Sequence, residues 1–593
     1  MKNSLKFNHI IPEITNSVII HDAVYRQWLC FREPQQVIEA SRIDEVIPKL
    51  SLIDSMVHQH GLHAAGFISY EAAPAFDHAF RTRPPSSFPL LWFGLYPKPD
   101  VIELPSPYTA RANASFQWVP SISQRAYDQA ISQIKTFIAD GETYQVNYTF
   151  RLSGPFTGDP WEFFLTLVQA QQADYAAYID TGRYIVCSAS PELFFQLNGR
   201  QLLARPMKGT AARGRTLDED NAIARWLNHS EKNRAENVMI VDMVRNDMGR
   251  IADIGSVHAT RLFDIERYPT LLQMTSTVTA TTDASLCNIM AALFPCASIT
   301  GAPKPRTMQI IADLETTPRS VYTGCIGFMA PGRISQFNVA IRTVLIDRDT
   351  GDAEYGVGGG ILWESESGDE YMECKIKARV LGVRRPHFSL LETMLWTPDD
   401  GYFLLHDHLR RLSDSAAYFS IAFDLEQVRE KLAELAASHS DSPHKVRLLV
   451  AQAVEVSGRS SPLNGSNEPR PVQLGLATAP VDSSNPFLYH KTTNRQVYDD
   501  ARNACSECDD VILWNEKGEI TESCVGNIVV LLDGKMVTPN VSCGLLPGTF
   551  RARLIEDGKI AEGILKVEDL TRSKHIFVIN SVRKWCKAVL KGN

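Results

Sequence analysis

Apolar residues at Ile131, Ile134, Phe137 and Ile138 recur at helical spacing, and the stripe stops at Gly141, so residues 124–139 predict a helix. Residues 143–152 (TYQVNYTFRL) alternate as a strand does. Residues 183–197 predict strand, turn and strand around Ser190–Pro191. Residues 231–248 predict a second helix, with Val238, Val241 and Val244 spaced by three along one apolar face. Gly368 to Val383 predicts a charged amphipathic helix. It must stop before Pro386, because the residue ahead of a proline is pushed out of helical backbone. A strand pattern starts at Phe388, and residues 406–419 (HDHLRRLSDSAAYF) predict a basic helix. Strands and helices mix without a regular βαβ rhythm, which favours an α+β fold over a doubly wound sheet.

The break near residues 380–388 divides the chain into parts of about 380 and about 205 residues, with the boundary at 383/384. A polar stretch from Ser457 to Pro471 reads as a loop inside the second part. The net charge of −8 over 593 residues argues against general nucleic-acid binding. Hydrophobic residues at 44% and charged residues at 22% exclude a disordered or collagen-like chain. No run approaches the ~20 apolar residues of a membrane helix, and the start lacks an apolar core with a cleavage site. Neither a signal peptide nor an anchor is expected. Eleven cysteines, sparse and odd in number, fit free thiols in a reducing cytoplasm. Cys505 and Cys508 form one C-x-x-C with no second pair nearby, so free thiols are expected there rather than zinc. His58, His60 and His63 form H-x-H-x-x-H with no acidic or cysteine partner beside them, which gives a metal little support.

Four segments of the first part carry chemistry: SASPELF (188–194), RPMKGTAARG (205–214), RAENVMIVDMVRND (234–247) and GDEYMECKIK (368–377). Glu370 and Glu373 share one helix face, Lys377 lies one turn further, and Glu236 sits on another helix. Carboxylates brought together from two helices suit Mg²⁺, which prefers oxygen ligands; otherwise they are solvated surface. Lys208, between a strand and a glycine-containing turn, is a nucleophile if partly desolvated and plain surface if not.

These segments, with GETYQVNYTFRL (141–152), ASITGAPKPRTMQII (297–311), YTGCIGF (322–328), FNVAIRT (337–343) and GVGGGILWESE (356–366), resemble the chorismate-utilising enzymes over residues 110–383. That family comprises the anthranilate, aminodeoxychorismate, isochorismate and salicylate synthases. The resemblance implies large antiparallel sheets with helices, and residues 61–77 and 89–96 look like the family's N-terminal sheet. Two positions discriminate. Pro206-Met207-Lys208-Gly209-Thr210 carries lysine where anthranilate synthases have alanine, as aminodeoxychorismate synthases do. Gln145 stands where isochorismate and salicylate synthases have a water-activating lysine, and glutamine is no such base.

The implied reaction joins ammonia to chorismate and gives 4-amino-4-deoxychorismate. It implies Lys208 as nucleophile and Glu192 as the acid for the departing hydroxyl. Glu236 and Glu373, with Glu370 assisting, are the implied Mg²⁺ ligands. Thr210, Arg342, Lys377 and the backbone of Gly358, Gly359 and Gly360 are the implied substrate binders; a strand-edge salt bridge is the alternative for Arg342. Gln273 replaces the histidine of the family's H-L-V-S segment, so no acid–base role carries over to it. No glutaminase elbow (G-x-C-x-G-x-Q) is visible, so a separate glutamine amidotransferase partner is implied, with free ammonia as a substitute.

In the second part, Lys491 lies 31 residues before Glu522, and GLLPGTFRARL (544–554) follows. Singly, these are a surface lysine and a turn glutamate. Together, a lysine, a carboxylate and a backbone phosphate cradle are what pyridoxal phosphate needs. They resemble the fold-type IV pyridoxal phosphate enzymes over residues 388–593: branched-chain and D-amino acid aminotransferases and aminodeoxychorismate lyases. The resemblance implies a two-subdomain fold in which Lys491 binds the cofactor and moves a proton, and Glu522 keeps the ring nitrogen protonated. It gives the phosphate to Arg411 and the Thr549–Phe550 backbone, with Gly548 allowing close approach; Phe550 stands where many relatives have threonine. Asn580, Ser581 and Arg583 would line the substrate pocket. A homodimer through this part follows by analogy.

The fold does not separate lyase from aminotransferase; the fusion favours lyase. The expectation is therefore a bifunctional enzyme making 4-aminobenzoate for folate. One alternative is an anthranilate synthase fused to an amino acid aminotransferase. Another makes the second part a non-catalytic interaction module.

Overall fold

The computed structural model describes residues 15–105, 118–382, 386–439, 441–451, 455–463 and 470–591. The first fourteen residues, the 383/384 boundary and positions 464–469 of the polar stretch lie outside the described residues. The chain divides into two compact units, Met1–Ala212 with Ala224–Arg385, and Arg213–Ile223 with Pro386–Asn593. The short stretch 213–223, which the sequence places in the first part, thus groups with the second unit.

Among the described residues, the first unit contains two ten-stranded sheets. One includes Gln145–Pro155, Asp352–Ile361, Thr343–Asp347, Tyr184–Ser190, Tyr175–Asp180, Ser17–Asp22 and Gln27–Phe31, in that spatial order. The other includes Met207–Ala212, Leu271–Thr281, Gln201–Arg205, Leu193–Asn198, Ile334–Val339, Cys325–Ala330, His63–Ile68 and Leu91–Tyr96. The pairings in both are antiparallel.

Inward-facing Val18, Ile20 and Phe31 of the first sheet share one core with Phe67, Trp92 and Phe328 of the second. Alternation along each strand puts such residues on one face, where burying them drives the sheets together. Helices Gln124–Ala139, Pro160–Gln171 and Ser367–Ala378 pack on the other face of the first sheet. Helices Ile43–His60, Glu231–Gly249 and Leu286–Leu293 pack on the other face of the second. Helix Gln124–Ala139 starts at Ser123, whose side chain accepts from the backbone N–H of Ala126.

Three readings change. Strands Tyr184–Ser190 and Leu193–Asn198 lie in different sheets, so Pro191–Glu192 carries the chain between sheets and does not close a hairpin. In helix Glu231–Gly249 the buried face runs through Asn237, Ile240, Val241, Val244 and Met248, while Val238 is 39% exposed. Steps of three fall short of a helical turn, so a run of them drifts off one face. The charged helix spans Ser367–Ala378, and a 3₁₀ turn at Arg379–Leu381 follows it.

Among its described residues the second unit has an antiparallel four-stranded sheet, Gly401–Tyr402, Leu390–Thr397, His444–Val450 and Val456–Pro462, with helices Leu405–Phe419 and Leu425–Ala437 packed on it. The polar stretch therefore begins as a strand, not a loop. Its register from Val456 to Pro462 against Val450 to His444 is backbone pairing, and an edge strand tolerates polar side chains. The unit's eight-stranded sheet is mixed: Val472–Leu476 runs parallel to both Asp510–Trp514 and Lys584–Leu590. No helix among the described residues is long and apolar enough to cross a membrane.

Candidate active sites

The first unit encloses a cavity of about 580 Å³. Glu192, Lys208, Thr210, Glu236, Arg342, Gly358, Gly359, Gly360, Glu370, Glu373 and Lys377 all line it, so the structure gathers the sequence-expected residues in one place. Lys208 sits on strand Met207–Ala212, whose register against Leu271–Thr281 shifts between Met207 and Thr210. Gly209 absorbs the irregularity at φ +96°. Asn237, on the buried face of its helix, donates to the Lys208 carbonyl at 3.2 Å and accepts from Ser276. A β-carbon built on Gly360 would lie 2.3 Å from Lys208 Nζ and 2.7 Å from Gln145 Nε2. The lysine head and the Gln145 amide thus meet over bare backbone. Gln145 is fully buried, and neither of its amide atoms has a hydrogen-bond partner.

Glu192 occupies the crossover between the two sheets and is 3% exposed. Ser298 Oγ donates to its Oε1 at 2.6 Å. Burial pushes the Glu192 carboxyl up to about 7, so it holds a proton near neutral pH and can give it up. Sequence reasoning missed Ser298, although it lies within the matched ASITGAPK segment.

Glu373 pairs with Lys377 at 2.7 Å, which holds its carboxyl below the usual range. Glu370 accepts from Ser365 Oγ at 2.7 Å. Burial raises both Glu236 and Glu370, and the Glu373 charge adds to this. A divalent cation would relieve that repulsion, and three carboxylates suit a hard ion. Among the described residues, however, no group of three such side chains is drawn close enough to be a formed ligand set. Lys377 Nζ also donates to the Gly358 carbonyl at 2.8 Å.

Among the described residues Arg342 forms no salt bridge. It has φ +51°, donates to the Lys377 carbonyl at 3.0 Å, and leaves its buried Nε without a partner. Strand Thr343–Asp347 pairs only as far as Tyr355, so the edge of Gly358–Gly360 opposite Gln145–Pro155 has no strand on it. Gln273 accepts from Thr210 Oγ1 at 3.1 Å and donates to the Gly209 carbonyl at 2.9 Å, which ties down the lysine-bearing bulge. Of the histidine trio, His58 pairs with Asp54 at 3.2 Å, one turn earlier on the same helix. The eleven cysteines, Cys505 and Cys508 included, are free.

The second unit encloses a cavity of about 510 Å³, lined by Lys491, Glu522, Arg411, Gly548, Thr549, Asn580, Ser581 and Arg583. Burial, reinforced by Arg411, pushes the Lys491 amine down to about 8, so much of it is free amine at mildly alkaline pH. Glu522 is 3% exposed and is held by Tyr498 Oη at 2.7 Å and the Leu546 N–H at 3.1 Å. Burial raises its carboxyl to about 7, and a cationic ring nitrogen beside it would favour the charged form.

Arg411 grips Glu392 through Nε at 3.0 Å and Nη2 at 2.7 Å. His408 Nδ1 lies 2.6 Å from the same carboxylate, and its Nε2 lies 3.3 Å from Thr549 Oγ1. A β-carbon on Gly548 would lie 2.1 Å from Asn527 Oδ1, so a side chain there would collide with that amide. Phe550 packs toward Phe403 and Trp585. Asn580 Oδ1 accepts from the N–H groups of Val582 and Arg583 and so shapes the turn that carries Arg583. Sequence reasoning missed Glu392, His408, Tyr498 and Asn527, and also Lys445, Arg447 and Arg495, which add positive charge to the cavity wall. The buried lysine, the buried carboxylate and the cationic cup at Arg411 fit pyridoxal phosphate.

The family profile described as chorismate binding enzyme matches residues 15–382. The chain belongs to the chorismate binding enzyme family. A second profile, amino-transferase class IV, matches residues 389–589. The first family's member from Bacillus subtilis (strain 168), aminodeoxychorismate synthase component 1, is 39% identical over 258 residues, which are 43% of this chain and 54% of the relative. Anthranilate synthase component 1 3 of Haloarcula marismortui is 37% identical over 275 residues, 46% of this chain and 54% of that protein. The chain thus spans about half the length of these curated relatives. The crystal structure of anthranilate synthase component I from Streptococcus pneumoniae shares the fold, with 23% identity, a TM-score of 0.52, and coverage of 65% of this chain and 95% of that one. Relatives of both activities match about equally well, so the choice between them falls to individual residues.

Proposed function

We propose that the first unit, expected at residues 1–383, converts chorismate and ammonia to 4-amino-4-deoxychorismate, and that residues 384–593 cleave this to 4-aminobenzoate and pyruvate for folate synthesis. One observation carries the reading: an amine nucleophile, Lys208, reaches bare backbone at Gly360 inside a carboxylate-lined cavity, beside a glutamine, not a lysine, at position 145. Alanine in place of Lys208 would leave water or ammonia to attack unaided.

Lys208 as free amine adds to ring carbon 2 while the bond from carbon 4 to its hydroxyl breaks. Glu192 gives that hydroxyl its proton, so water leaves. Ammonia then bonds to carbon 4, the Lys208–carbon bond breaks, and the proton shed by ammonia restores Glu192. Arg342, with its unpartnered Nε, is suited to a substrate carboxylate. Mg²⁺ held by Glu236, Glu370 and Glu373 would neutralise a second carboxylate. Gln273 and Thr210 keep the Lys208 bulge in place. A separate glutamine amidotransferase supplies the ammonia, and a reducing compartment agrees with the free cysteines.

In the second unit, pyridoxal phosphate supplies an electron sink for the carbon bonded to the substrate nitrogen. Lys491 Nζ takes the proton from that carbon, and Glu522 keeps a proton on the ring nitrogen. The cationic wall of Arg447, Arg495 and Arg583 favours a substrate with two carboxylates over a simple amino acid.

The test incubates purified protein with pyridoxal phosphate, Mg²⁺, chorismate and ammonium at mildly alkaline pH and separates the products by chromatography. 4-Aminobenzoate with equimolar pyruvate is expected. Anthranilate would overturn the first assignment, and accumulated aminodeoxychorismate the second.

A further inference from the structure

Glu392, His408 and Arg411 form a buried hydrogen-bonded cluster that the proposed reaction does not itself use. Glu392 is 1% exposed and His408 is fully buried. Burial would raise the Glu392 carboxyl, but Arg411 and His408 together outweigh it and hold the group at about 2. An ionised carboxylate so deep in a fold is costly unless it fixes its partners.

Both partners lead to the cavity. Arg411 spends Nε and one Nη2 hydrogen on Glu392 and one Nη1 hydrogen on the Pro547 carbonyl at 3.3 Å, which fixes the plane of the guanidinium. His408 presents Nδ1 to Glu392, so its other nitrogen faces Thr549 Oγ1. His408 and Arg411 lie three apart on helix Leu405–Phe419, and Glu392 lies on strand Leu390–Thr397. One carboxylate on the strand thus orients a cation and a hydroxyl that both border the cavity.

We propose that Glu392 and His408 are positioning residues for a phosphate monoester. Glu392 aims the free edge of Arg411, and His408 sets the Thr549 hydroxyl, so the phosphate of the cofactor is the group they serve. This rests on the pyridoxal phosphate reading given above.

The full-length protein, stripped of cofactor, is titrated with pyridoxal phosphate and, separately, with pyridoxal, which lacks the phosphate. Binding is read from the absorption band of the lysine-bound cofactor and from tryptophan quenching. Glu392→Gln is expected to weaken pyridoxal phosphate about tenfold or more, the value of a charge-assisted hydrogen bond, and to leave pyridoxal binding within about threefold. His408→Gln tests the same clamp from the helix and shows the same selective loss, so a misfolded Glu392 variant does not decide the matter. Equal losses for both ligands, or no loss in either variant, overturn the positioning role alone. A wild-type protein that binds neither ligand overturns the cofactor reading and this inference with it.

Discussion

The side-chain nitrogen of Lys208 fills the space that a side chain at position 360 would need, 2.3 Å from where its β-carbon would lie. The glycine is therefore part of the nucleophile's seat. Gly360→Ala collides with the ends of two side chains, Lys208 and the buried Gln145, and not with backbone, so the loss of stability should stay within about 2 kcal/mol. Lys208 must move, and a displacement of about 1 Å can cost a hundredfold in rate. Aminodeoxychorismate formation is expected to drop about a hundredfold while the protein stays folded, with the unfolding midpoint shifted by only a few degrees. Full activity in this variant would remove the glycine from the site.

Glu192 must be protonated to release water, and burial places its carboxyl at about 7. The synthase step should therefore weaken as pH rises through 7. Ser298 donates to the charged form and so lowers this value. Ser298→Ala should raise it and move the falling limb of the pH profile to higher pH. A limb that stays put, or moves to lower pH, would count against Glu192 as the acid.

Lys491→Ala removes the amine that takes the substrate proton. Aminodeoxychorismate should accumulate, and 4-aminobenzoate should form about 10³-fold more slowly. The absorption band of bound cofactor should disappear as well. Continued 4-aminobenzoate production would remove Lys491 from the chemistry.

Arg319 is 1% exposed and pairs with Glu315 at 2.7 Å, and it donates to the carbonyls of Ile299 and Asn147. Asn147 and Ile299 also line the first cavity. Arg319→Leu leaves the buried Glu315 without its ion-pair partner and with only the Thr149 hydrogen bonds, so a loss of about 3 kcal/mol is expected in urea unfolding. A change below about 1 kcal/mol would mean that water or another cation takes over.

The helix at 124–139 and the strand at 145–155 were legible because apolar spacing, a glycine stop and strand alternation are local signals. The residues converging on Lys208 were legible through ordered motifs, each of which happens to end at the cavity. The crossover at Pro191–Glu192 was not, because nothing local tells a hairpin from a change of sheet. Glu392 was also invisible. Its partners His408 and Arg411 come from a helix, and a strand glutamate reads as surface until that helix packs on it. Polar Ser457–Ser461 read as loop because edge pairing depends on backbone rather than on side-chain polarity.

The most direct test of the account offers chorismate and Mg²⁺ to the protein with no amine present, quenches the mixture, and examines tryptic peptides by mass spectrometry. The peptide containing Lys208 is expected to gain the mass of chorismate less one water, and the adduct should disappear when ammonium is added. An unmodified Lys208 peptide, with a Lys208→Ala variant that still makes aminodeoxychorismate at the normal rate, would contradict it.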